Sequence, residues 1–257
     1  MSDQKKTIVT LTLSPALDLF YDTDSQLDVS GESVFRTKKE RFEPGGKGFN
    51  VGRALIRCFS NEVEIINISV LGGSTGERWK KLAEEAGCQI APVWIEQETR
   101  TNIHLFGINQ TEIKMNGQVS RLDEFTTERI FESIRNISPD GLVVAGKKPF
   151  MLDPSFEHNL VDAVDREKCS LFLDVIDDHL AKFIDQSLQS QDLIKINRDE
   201  FNSLNNFFLQ NIESPQDLLK STKANLIITD GGNSVEGFCD HENVAGTPAN
   251  SFSGNIA

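Results

Sequence analysis

The sequence has few cysteines, and its four lie far apart. Cys58, Cys88, Cys169 and Cys239 form no CxxC pair and no Cys/His arrangement with metal-ligand spacing. Such scattered thiols are typical of reduced, structural cysteines rather than of a disulfide framework or a zinc site. The four histidines are equally isolated. We therefore expect a cytoplasmic protein in which these residues hold no metal.

The sequence also lacks a long apolar run. No stretch approaches the ~20 residues that a membrane helix needs. The first residues, MSDQKKTIVTLTL, lead straight into a strand-like segment, without an apolar stretch followed by a small-residue cleavage site. We therefore expect neither a membrane span nor a signal peptide.

Positive charge is scarce as well. The chain has 26 Lys and Arg against 39 Asp and Glu, a net charge of −13, which argues against a broad nucleic-acid or membrane-binding surface. Five of the cations are nevertheless concentrated in one short stretch: Arg36, Lys38, Lys39, Arg41 and Lys47. This local excess fits an anionic ligand, although a solvated basic strand face is the simpler interpretation.

Strand-like and helix-like segments alternate along most of the chain. The apolar strand candidates include TIVTLTL, VEIINISVLGG, GLVVAG, CSLFLDV, DLIKI and ANLIITDGG. This alternation predicts an α/β fold with a mostly parallel sheet and helices on both faces. Strand-rich stretches at roughly 14–41 and 92–119 do not fit that layer, so we expect them to form a small β-sheet lid. The 257 residues suit one large α/β domain or two small ones, of which we expect the single domain.

Unusual polar and glycine-rich segments follow several of these strands. They are Asp18, GGKG at 45–48, AGKKP at 145–149, NRDE at 197–200 and DGGN at 230–233. Ligands of open α/β sheets bind at the carboxyl ends of the strands. Together these segments predict one shared cleft, although each alone is compatible with an ordinary turn.

The segment FEPGGKGFNVGRAL has the chemistry of an anion site at a helix start. Its glycines allow close backbone approach, and a helix N-terminus favours negative charge. Lys47 adds an ammonium group, and the Asn50 amide suits a sugar hydroxyl. A glycine-rich helix start without a ligand is the competing interpretation.

Five motifs in order resemble the PfkB, or ribokinase-like, family of sugar kinases: TLSPALD, GE at Gly31–Glu32, PGGKGFNVGRAL, LGGSTGERWKKLAEEAG and ETRTN. IKINRDEF and IITDGG are similar to two later family motifs. The resemblance runs from about residue 7 to 240 and is greatest to the branch of 1-phosphofructokinase, tagatose-6-phosphate kinase and the minor 6-phosphofructokinase.

The resemblance implies a ribokinase-like fold and a homodimer formed through the lid. It also implies ATP- and Mg²⁺-dependent phosphorylation of a ketohexose phosphate to a bisphosphate. The candidate substrates are fructose 1-phosphate, fructose 6-phosphate and tagatose 6-phosphate.

The resemblance further implies two groups of site residues. The residues expected to bind the sugar phosphate are Asp18, Gly45, Gly46, Lys47, Asn50 and Arg100. Those expected to bind the nucleotide are Asn197, Glu200, Thr229 and Gly231. In this scheme Asp18 accepts sugar hydroxyls, Lys47 and Arg100 bind the substrate phosphate, and Glu200 organises Mg²⁺. The competing interpretations are a turn aspartate for Asp18, and a helix cap plus a surface glutamate for Asn197 and Glu200.

The chain departs from the family at a late GAGD or GSGD motif, whose aspartate accepts the proton of the attacking hydroxyl. The sequence reads NSFSGNIA there, so that Ile256 or, with one deletion, Asn255 takes the aspartate's place. Neither side chain is a useful base near neutral pH. We therefore assign no catalytic residue, and Asp230 and Asp240 are substitutes by proximity in sequence only.

Three interpretations follow from this departure. The protein is an active kinase with a displaced base, a degenerate member that binds sugar phosphate without turnover, or the product of a reading frame cut short by a frameshift. The helices that follow the motif in the family are also missing from the sequence, so we expect exposed apolar surface on one face of the sheet.

Smaller departures lie nearer the sugar pocket. The family has asparagine at Ser14, and its GSLP reads GKKP here. Lys147 therefore stands near the expected phosphate site, where it either strengthens phosphate binding or blocks the pocket.

Overall fold

The strand-like segments pair into two sheets. The computed structural model describes residues 5–28, 34–109, 111–150, 152–184, 188–204, 212–239 and 243–246. In this part of the chain, nine strands form a large sheet and four form a small one. The motif at Gly31–Glu32, Asp240 and the segment NSFSGNIA lie outside the described residues.

The large sheet has the order β13-β12-β11-β10-β9-β8-β1-β4-β5. Its strands are β1 (Lys6–Thr12), β4 (Val63–Gly72), β5 (Gln89–Ile95), β8 (Gly141–Ala145), β9 (Ser170–Asp174), β10 (Leu193–Asn197), β11 (Asn225–Asp230), β12 (Ser234–Phe238) and β13 (Asn243–Gly246). In this spatial order, the seven neighbouring strands from β11 to β5 pair in parallel. β12 and β13 join antiparallel at one edge. A mostly parallel sheet is therefore confirmed.

Helices cover both faces of this sheet. They are α1 (Lys47–Phe59), α2 (Gly73–Glu85), α3 (Glu124–Ile137), α4 (Phe156–Asp162), α5 (Asp177–Ile184), α6 (Arg198–Ser203) and α7 (Pro215–Thr222). Alternate residues of β1 show the two layers. Val9 and Leu11 belong to the core cluster that includes residues of α3 to α7, whereas Thr10 faces α1 across Gly52.

Gly52 lets α1 lie directly on the sheet. A Cβ atom there would stand 2.2 Å from Asn67 Oδ1 and 2.9 Å from Thr10 Oγ1. Thr10 Oγ1 donates to Asn67 Oδ1 at 2.6 Å, so the close approach buries a satisfied polar pair. This packing fixes the start of α1 at the carboxyl end of β1.

The small sheet has the order β3-β2-β6-β7. Its strands are β2 (Ala16–Thr23), β3 (Thr37–Gly45), β6 (Arg100–Phe106) and β7 (Glu112–Met115). Residues 92–95, which fall inside the range expected for the lid, belong instead to β5 of the large sheet. The reason is that β5 pairs in parallel with β4 from Ile66↔Gln89 onward. Lys38 and Lys39 are exposed on β3, as a solvated strand face would be.

The surface, the cysteines and the helices each bear on a sequence-based expectation. An apolar groove of about 270 Å³ lies beside α1 and is lined in part by Leu55, Phe172 and Leu193. Cys58, Cys88 and Cys169 form no disulfide within the part of the chain that the structure describes. No helix in the described ranges combines the length and the apolar character needed to cross a membrane.

Candidate sugar-phosphate and nucleotide sites

A cavity of about 300 Å³ opens at the carboxyl ends of β1 and β8, where the small sheet meets the large one. It is lined by Thr12, Ser14, Gly46, Lys47, Arg100, Ala145, Gly146, Lys147 and Ile176. Three of these residues are cations in a chain whose net charge is −13. The cavity therefore has the charge expected of an anion site.

Asp18 lies on β2, where the small sheet holds its carboxylate in place. Asn102 Nδ2 donates to Asp18 Oδ1 at 2.7 Å, and Asn102 Oδ1 accepts from the Gly117 amide at 3.1 Å. Burial raises the pKa of the Asp18 carboxyl above its ordinary value. A Cβ atom on Gly45 would stand only 2.1 Å from Asp18 Oδ2, so Gly45 makes room for this carboxylate.

Arg100, at the start of β6, points its guanidinium toward the cavity. Its Nη1 donates to Gly117 O at 3.3 Å and its Nη2 to Ser14 O at 3.2 Å. Burial lowers the pKa of this guanidinium. Arg100 remains cationic near neutral pH, because a guanidinium is not deprotonated in proteins.

Three buried polar atoms at the cavity have no hydrogen-bond partner in the described chain. They are Thr12 Oγ1, Ser14 Oγ and Arg100 Nε. Buried polar atoms are ordinarily paired, and an unpaired one costs about 1–3 kcal/mol. The residues that carry these atoms line the cavity, but the atoms themselves are shielded from its open volume.

The start of α1 borders the same cavity. Gly46 has φ of 139°, a conformation that L side chains rarely adopt, and a Cβ atom there would meet Thr12 Cγ2 at 2.6 Å. Lys47 follows it and forms an ion pair with Asp174, Nζ to Oδ1, at 3.0 Å. Asn50 is exposed and does not line the cavity, and its Oδ1 accepts from Arg53 Nη2 at 3.3 Å. The structure thus brings together the predicted sugar-side residues Gly46, Lys47 and Arg100 at one cavity.

Sequence reasoning missed Asp174 and Lys195. Asp174 is the last residue of β9, and its Oδ1 also receives Lys195 Nζ from β10 at 3.3 Å. The carboxylate therefore lies between two ammonium groups, one from the sugar side and one from the neighbouring strand. The sequence signal that could have identified Asp174 was a lone aspartate near the end of the apolar segment CSLFLDV, at the carboxyl ends of the strands where the other candidates lie.

The nucleotide candidates lie two to three strands from the cavity. Asn197 ends β10 and pairs in register with Thr229 of β11, and Gly231 follows in a turn with φ of 51°. Asn197 caps α6, since its Oδ1 accepts from the Glu200 amide at 2.8 Å while Glu200 Oε2 accepts from the Asn197 amide at 2.7 Å. The cap interpretation of this pair is therefore realised in the structure.

The capping box still leaves room for a metal role of Glu200. Only Oε2 of its carboxylate is used in the box, and Oε1 has no hydrogen bond to the described residues. No cluster of three or more His, Cys, Asp or Glu side chains suited to a metal occurs in those residues. Mg²⁺ in phosphoryl-transfer sites is commonly held by one or two carboxylates, waters and the substrate phosphates. Glu200 fits that requirement as a single protein ligand.

Of the two substitute bases, Asp230 is described and Asp240 is not. Asp230 Oδ2 accepts from Asn233 Nδ2 at 3.2 Å within the turn after β11. Because β11 is two strands from β9, Asp230 lies roughly 10 Å or more to the side of the strand that ends in Asp174. Asp230 is therefore poorly placed to serve the cavity at β1 and β8.

Comparison with known proteins gives the following matches. A family model described as "pfkB family carbohydrate kinase" matches residues 12–250. The chain is 28% identical to the 1-phosphofructokinase of Bacillus subtilis over 176 residues, 68% of this chain and 55% of that protein. It is 27% identical to the ATP-dependent 6-phosphofructokinase isozyme 2 of Escherichia coli over 220 residues, 84% of this chain and 67% of that protein. The chain spans 55% of that Bacillus subtilis protein and 53% of the D-tagatose-1-phosphate kinase of Klebsiella oxytoca, about half the length of these curated relatives.

A solved structure matches the fold. Phosphofructokinase-2 from Escherichia coli, in complex with fructose-6-phosphate, superposes with a TM-score of 0.82 at 24% identity. The match covers 95% of this chain and 80% of that one. A likeness of this extent supports the arrangement of the two sheets and the ribokinase-like fold class.

Proposed function

The chain belongs to the pfkB family of carbohydrate kinases, and from this premise we propose that it is an ATP-dependent sugar-phosphate kinase. Its substrate would be a ketohexose phosphate and its product a bisphosphate. The observation that carries the proposal is the cavity at the ends of β1 and β8. There the cations Lys47, Arg100 and Lys147 come together, and Arg100 lies close enough to the Asp18 carboxylate for their charges to interact.

The sugar side of the site supports a phosphorylated substrate. An ionised Asp18 would accept hydrogen bonds from two sugar hydroxyls, and the fixed Asn102 contact sets its orientation. Arg100 would bind the existing phosphate, because a guanidinium presents parallel donors to phosphate oxygens. Gly45 and Gly46 border this side of the site, where the lack of a Cβ leaves room for Asp18 and Thr12, respectively.

The nucleotide would lie over the ends of β10 and β11. Asn197, Thr229 and Gly231 are adjacent there, and Glu200 offers one free carboxylate oxygen. Bound Mg²⁺ would supply charge neutralisation at the nucleotide phosphates. On this arrangement Lys195 and Lys47, which both pair with Asp174, would lie between the sugar site and the nucleotide site. They would stabilise negative charge on the transferred phosphoryl group.

We further propose a cytoplasmic homodimer that pairs through the small sheet. β3 is an edge strand of that sheet, and its residues from Thr37 to Arg41 are exposed. An edge strand presents unpaired backbone groups that a second chain can meet. Light scattering at several protein concentrations measures the assembly, and a monomer at all of them would refute this part of the proposal.

A second candidate function is a sugar-phosphate binder without turnover. The observation that favours it is the sequence NSFSGNIA, in which neither Asn255 nor Ile256 supplies the carboxylate base of the family. Both candidates share the sugar side of the site, so they differ only in phosphoryl transfer.

Single-turnover transfer separates the two. Protein in excess over γ-labelled ATP is mixed with Mg²⁺ and with fructose 1-phosphate, fructose 6-phosphate or tagatose 6-phosphate, and the labelled product is separated after acid quench. Asp18→Asn tests the sugar side. Asp22→Asn is the matched control, since it makes the same change on the same strand at an exposed position.

A kinase forms a labelled bisphosphate from at least one of the three sugars, slowed by Asp18→Asn and unaffected by Asp22→Asn. A binder gives no labelled product but shows saturable, Asp18-dependent sugar-phosphate binding by calorimetry. Absence of both transfer and binding would contradict the proposed function.

A further inference from the structure

Lys147 lines the cavity with Lys47 and Arg100, yet it differs from them in its contacts. Lys47 forms an ion pair with Asp174 at 3.0 Å. Arg100 donates to two backbone carbonyls and lies close enough to Asp18 for their charges to interact. Lys147 is exposed and has neither a hydrogen bond nor an ion pair with the residues that the structure describes. Of the three cations, it contributes the least compensated charge.

The residues on either side of Lys147 are anchored, Gly146 through its backbone and Lys148 through its side chain. The Gly146 amide donates to Asp174 O at 3.0 Å, which ties the end of β8 to β9. On the other side, Lys148 Nζ donates to Glu157 Oε1 at 3.0 Å and to Asp178 Oδ2 at 3.1 Å. Glu157 is only 1% exposed, so Lys148 is anchored in the interior of the domain.

Gly146 brings the two lysine-bearing segments together. Its φ of 107° requires glycine, and a Cβ atom there would come within 3.3 Å of Lys47 Cβ. The loop therefore passes directly against the start of α1, with Lys147 at the rim of the cavity. Lys147 is thus a side chain on a fixed backbone facing a pocket, unlike a lysine on a mobile surface loop.

The cavity remains open beside it. Its volume of about 300 Å³ is at the lower end of the range for ligand pockets, roughly 300–1,000 Å³. A phosphate monoester carries a charge of about −1.5 to −2 near pH 7. Such a group requires more positive charge than Arg100 alone provides, because Lys47 is already paired with Asp174.

We propose that Lys147 is a specificity-determining residue, which binds the phosphate that the substrate already carries and makes the site favour phosphorylated over unphosphorylated sugar. The inference rests on the proposed function for the identity of the sugar. The recognition of phosphate itself rests only on the cavity and its cations.

Isothermal titration at fixed ionic strength tests the inference. The ligands are inorganic phosphate, fructose 6-phosphate, fructose 1-phosphate, tagatose 6-phosphate and unphosphorylated fructose. The variants are Lys147→Ser, which removes the charge, and Lys147→Arg, which keeps it. Lys168→Ser is the matched control. Lys168 is an exposed lysine just before β9, at the amino ends of the strands, whereas the cavity lies at their carboxyl ends.

We expect Lys147→Ser to weaken binding of inorganic phosphate and of the preferred sugar phosphate by about tenfold or more, as for the loss of a hydrogen bond to a charged group. Fructose affinity should stay unchanged. Lys147→Arg should retain most of the phosphate affinity, and Lys168→Ser should behave as the unmodified protein. Thermal melting of each variant confirms that the fold is kept.

Several results would overturn the inference. Equal losses for fructose and its phosphates would make Lys147 a structural residue, and tighter binding by Lys147→Ser would mean that the lysine blocks the pocket. Unchanged phosphate affinity would also refute the role. If the unmodified protein binds inorganic phosphate through Lys147 but no sugar phosphate, the phosphate contact of Lys147 holds, whereas its role in sugar preference and the proposed function are wrong. If it binds neither, both are wrong.

Discussion

Replacing Gly45 by alanine should damage the sugar side of the site through one contact. The added Cβ would stand 2.1 Å from Asp18 Oδ2 and 2.7 Å from Asp18 Cγ. The Asp18 carboxyl is itself held by Asn102 at 2.7 Å, so it must rotate away and lose that hydrogen bond. The variant therefore displaces the group that we expect to bind sugar hydroxyls, while leaving it in the protein.

The cost follows from the overlap. Added atoms in a well-packed site typically cost about 1–3 kcal/mol, and the lost hydrogen bond to a carboxylate is worth about 1.5–3 kcal/mol. These terms describe the same displacement, so we expect a loss of about 2 kcal/mol in the free energy of unfolding. That corresponds to a fall of about 4–8 °C in Tm for a domain of this size.

Urea unfolding and calorimetric binding of fructose 6-phosphate measure both effects. Gly232→Ala is the control, because a Cβ atom there meets no atom within 4 Å. Asp18→Asn gives a second comparison. Since burial raises the pKa of Asp18 in the folded state, its charged form costs stability above that pKa. Asp18→Asn should therefore lose sugar binding and keep or gain stability at pH 7.

The reasoning fails if Gly45→Ala binds the sugar phosphate as tightly as Gly232→Ala and unfolds at the same urea concentration. It also fails in part if Gly45→Ala loses stability but keeps full binding. That result would mean that the position of Asp18 does not matter to the ligand.

Three further predictions concern stability and reactivity. Asn197→Ala should cost about 1 kcal/mol through loss of the α6 cap, and should weaken nucleotide binding in a calorimetric titration if the residue also contacts the nucleotide. Glu157→Ala should cost about 3 kcal/mol by urea unfolding, since it leaves buried partners unpaired. Burial alone would raise the pKa of Glu157, but hydrogen bonds from His179 and Lys148 hold that pKa below its ordinary value. The ionised carboxylate therefore stabilises the fold above the unfolded-state pKa, and this stabilisation is lost as the pH falls through the folded-state pKa. In the native protein the exposed Cys58 should react with a disulfide reagent. Burial raises the pKa of Cys169 to about 12 and should protect this thiol until the protein unfolds. Mass spectrometry of the labelled peptides measures the reaction of each cysteine.

The large sheet could be predicted well because most of its strands carry strong local signals. β1, β4, β8, β9, β10 and β11 match the apolar segments predicted as strands, and a helix follows β4, β8, β9 and β10. β12 and β13 were not predicted, since SVEGF and NVAG are short and mixed in polarity and gain their pairing only from the antiparallel neighbour. The sheet to which β5 belongs could not be read from its sequence, because the pairing with β4 is a tertiary choice.

The site could be predicted in its residues but not in its contacts. The motif around GGKG drew attention to Gly46 and Lys47, which both line the cavity. The ion pair between Lys47 and Asp174 could not be predicted, because it joins positions far apart in sequence. Asn50 was expected in the pocket and is exposed outside it, because the helical turn after Lys47 points its side chain toward Arg53. The roles of Asp18 and Glu200 toward ligands stay predictions.

The most direct test of the account is a crystal structure of the protein with fructose 6-phosphate and a non-hydrolysable ATP analogue with Mg²⁺. The account predicts the sugar phosphate in the cavity at the ends of β1 and β8, with its hydroxyls on Asp18 and its phosphate on Arg100 and Lys147. It predicts the nucleotide over Asn197 and Thr229. Sugar phosphate bound elsewhere, or bound with its phosphate remote from Arg100, would contradict it.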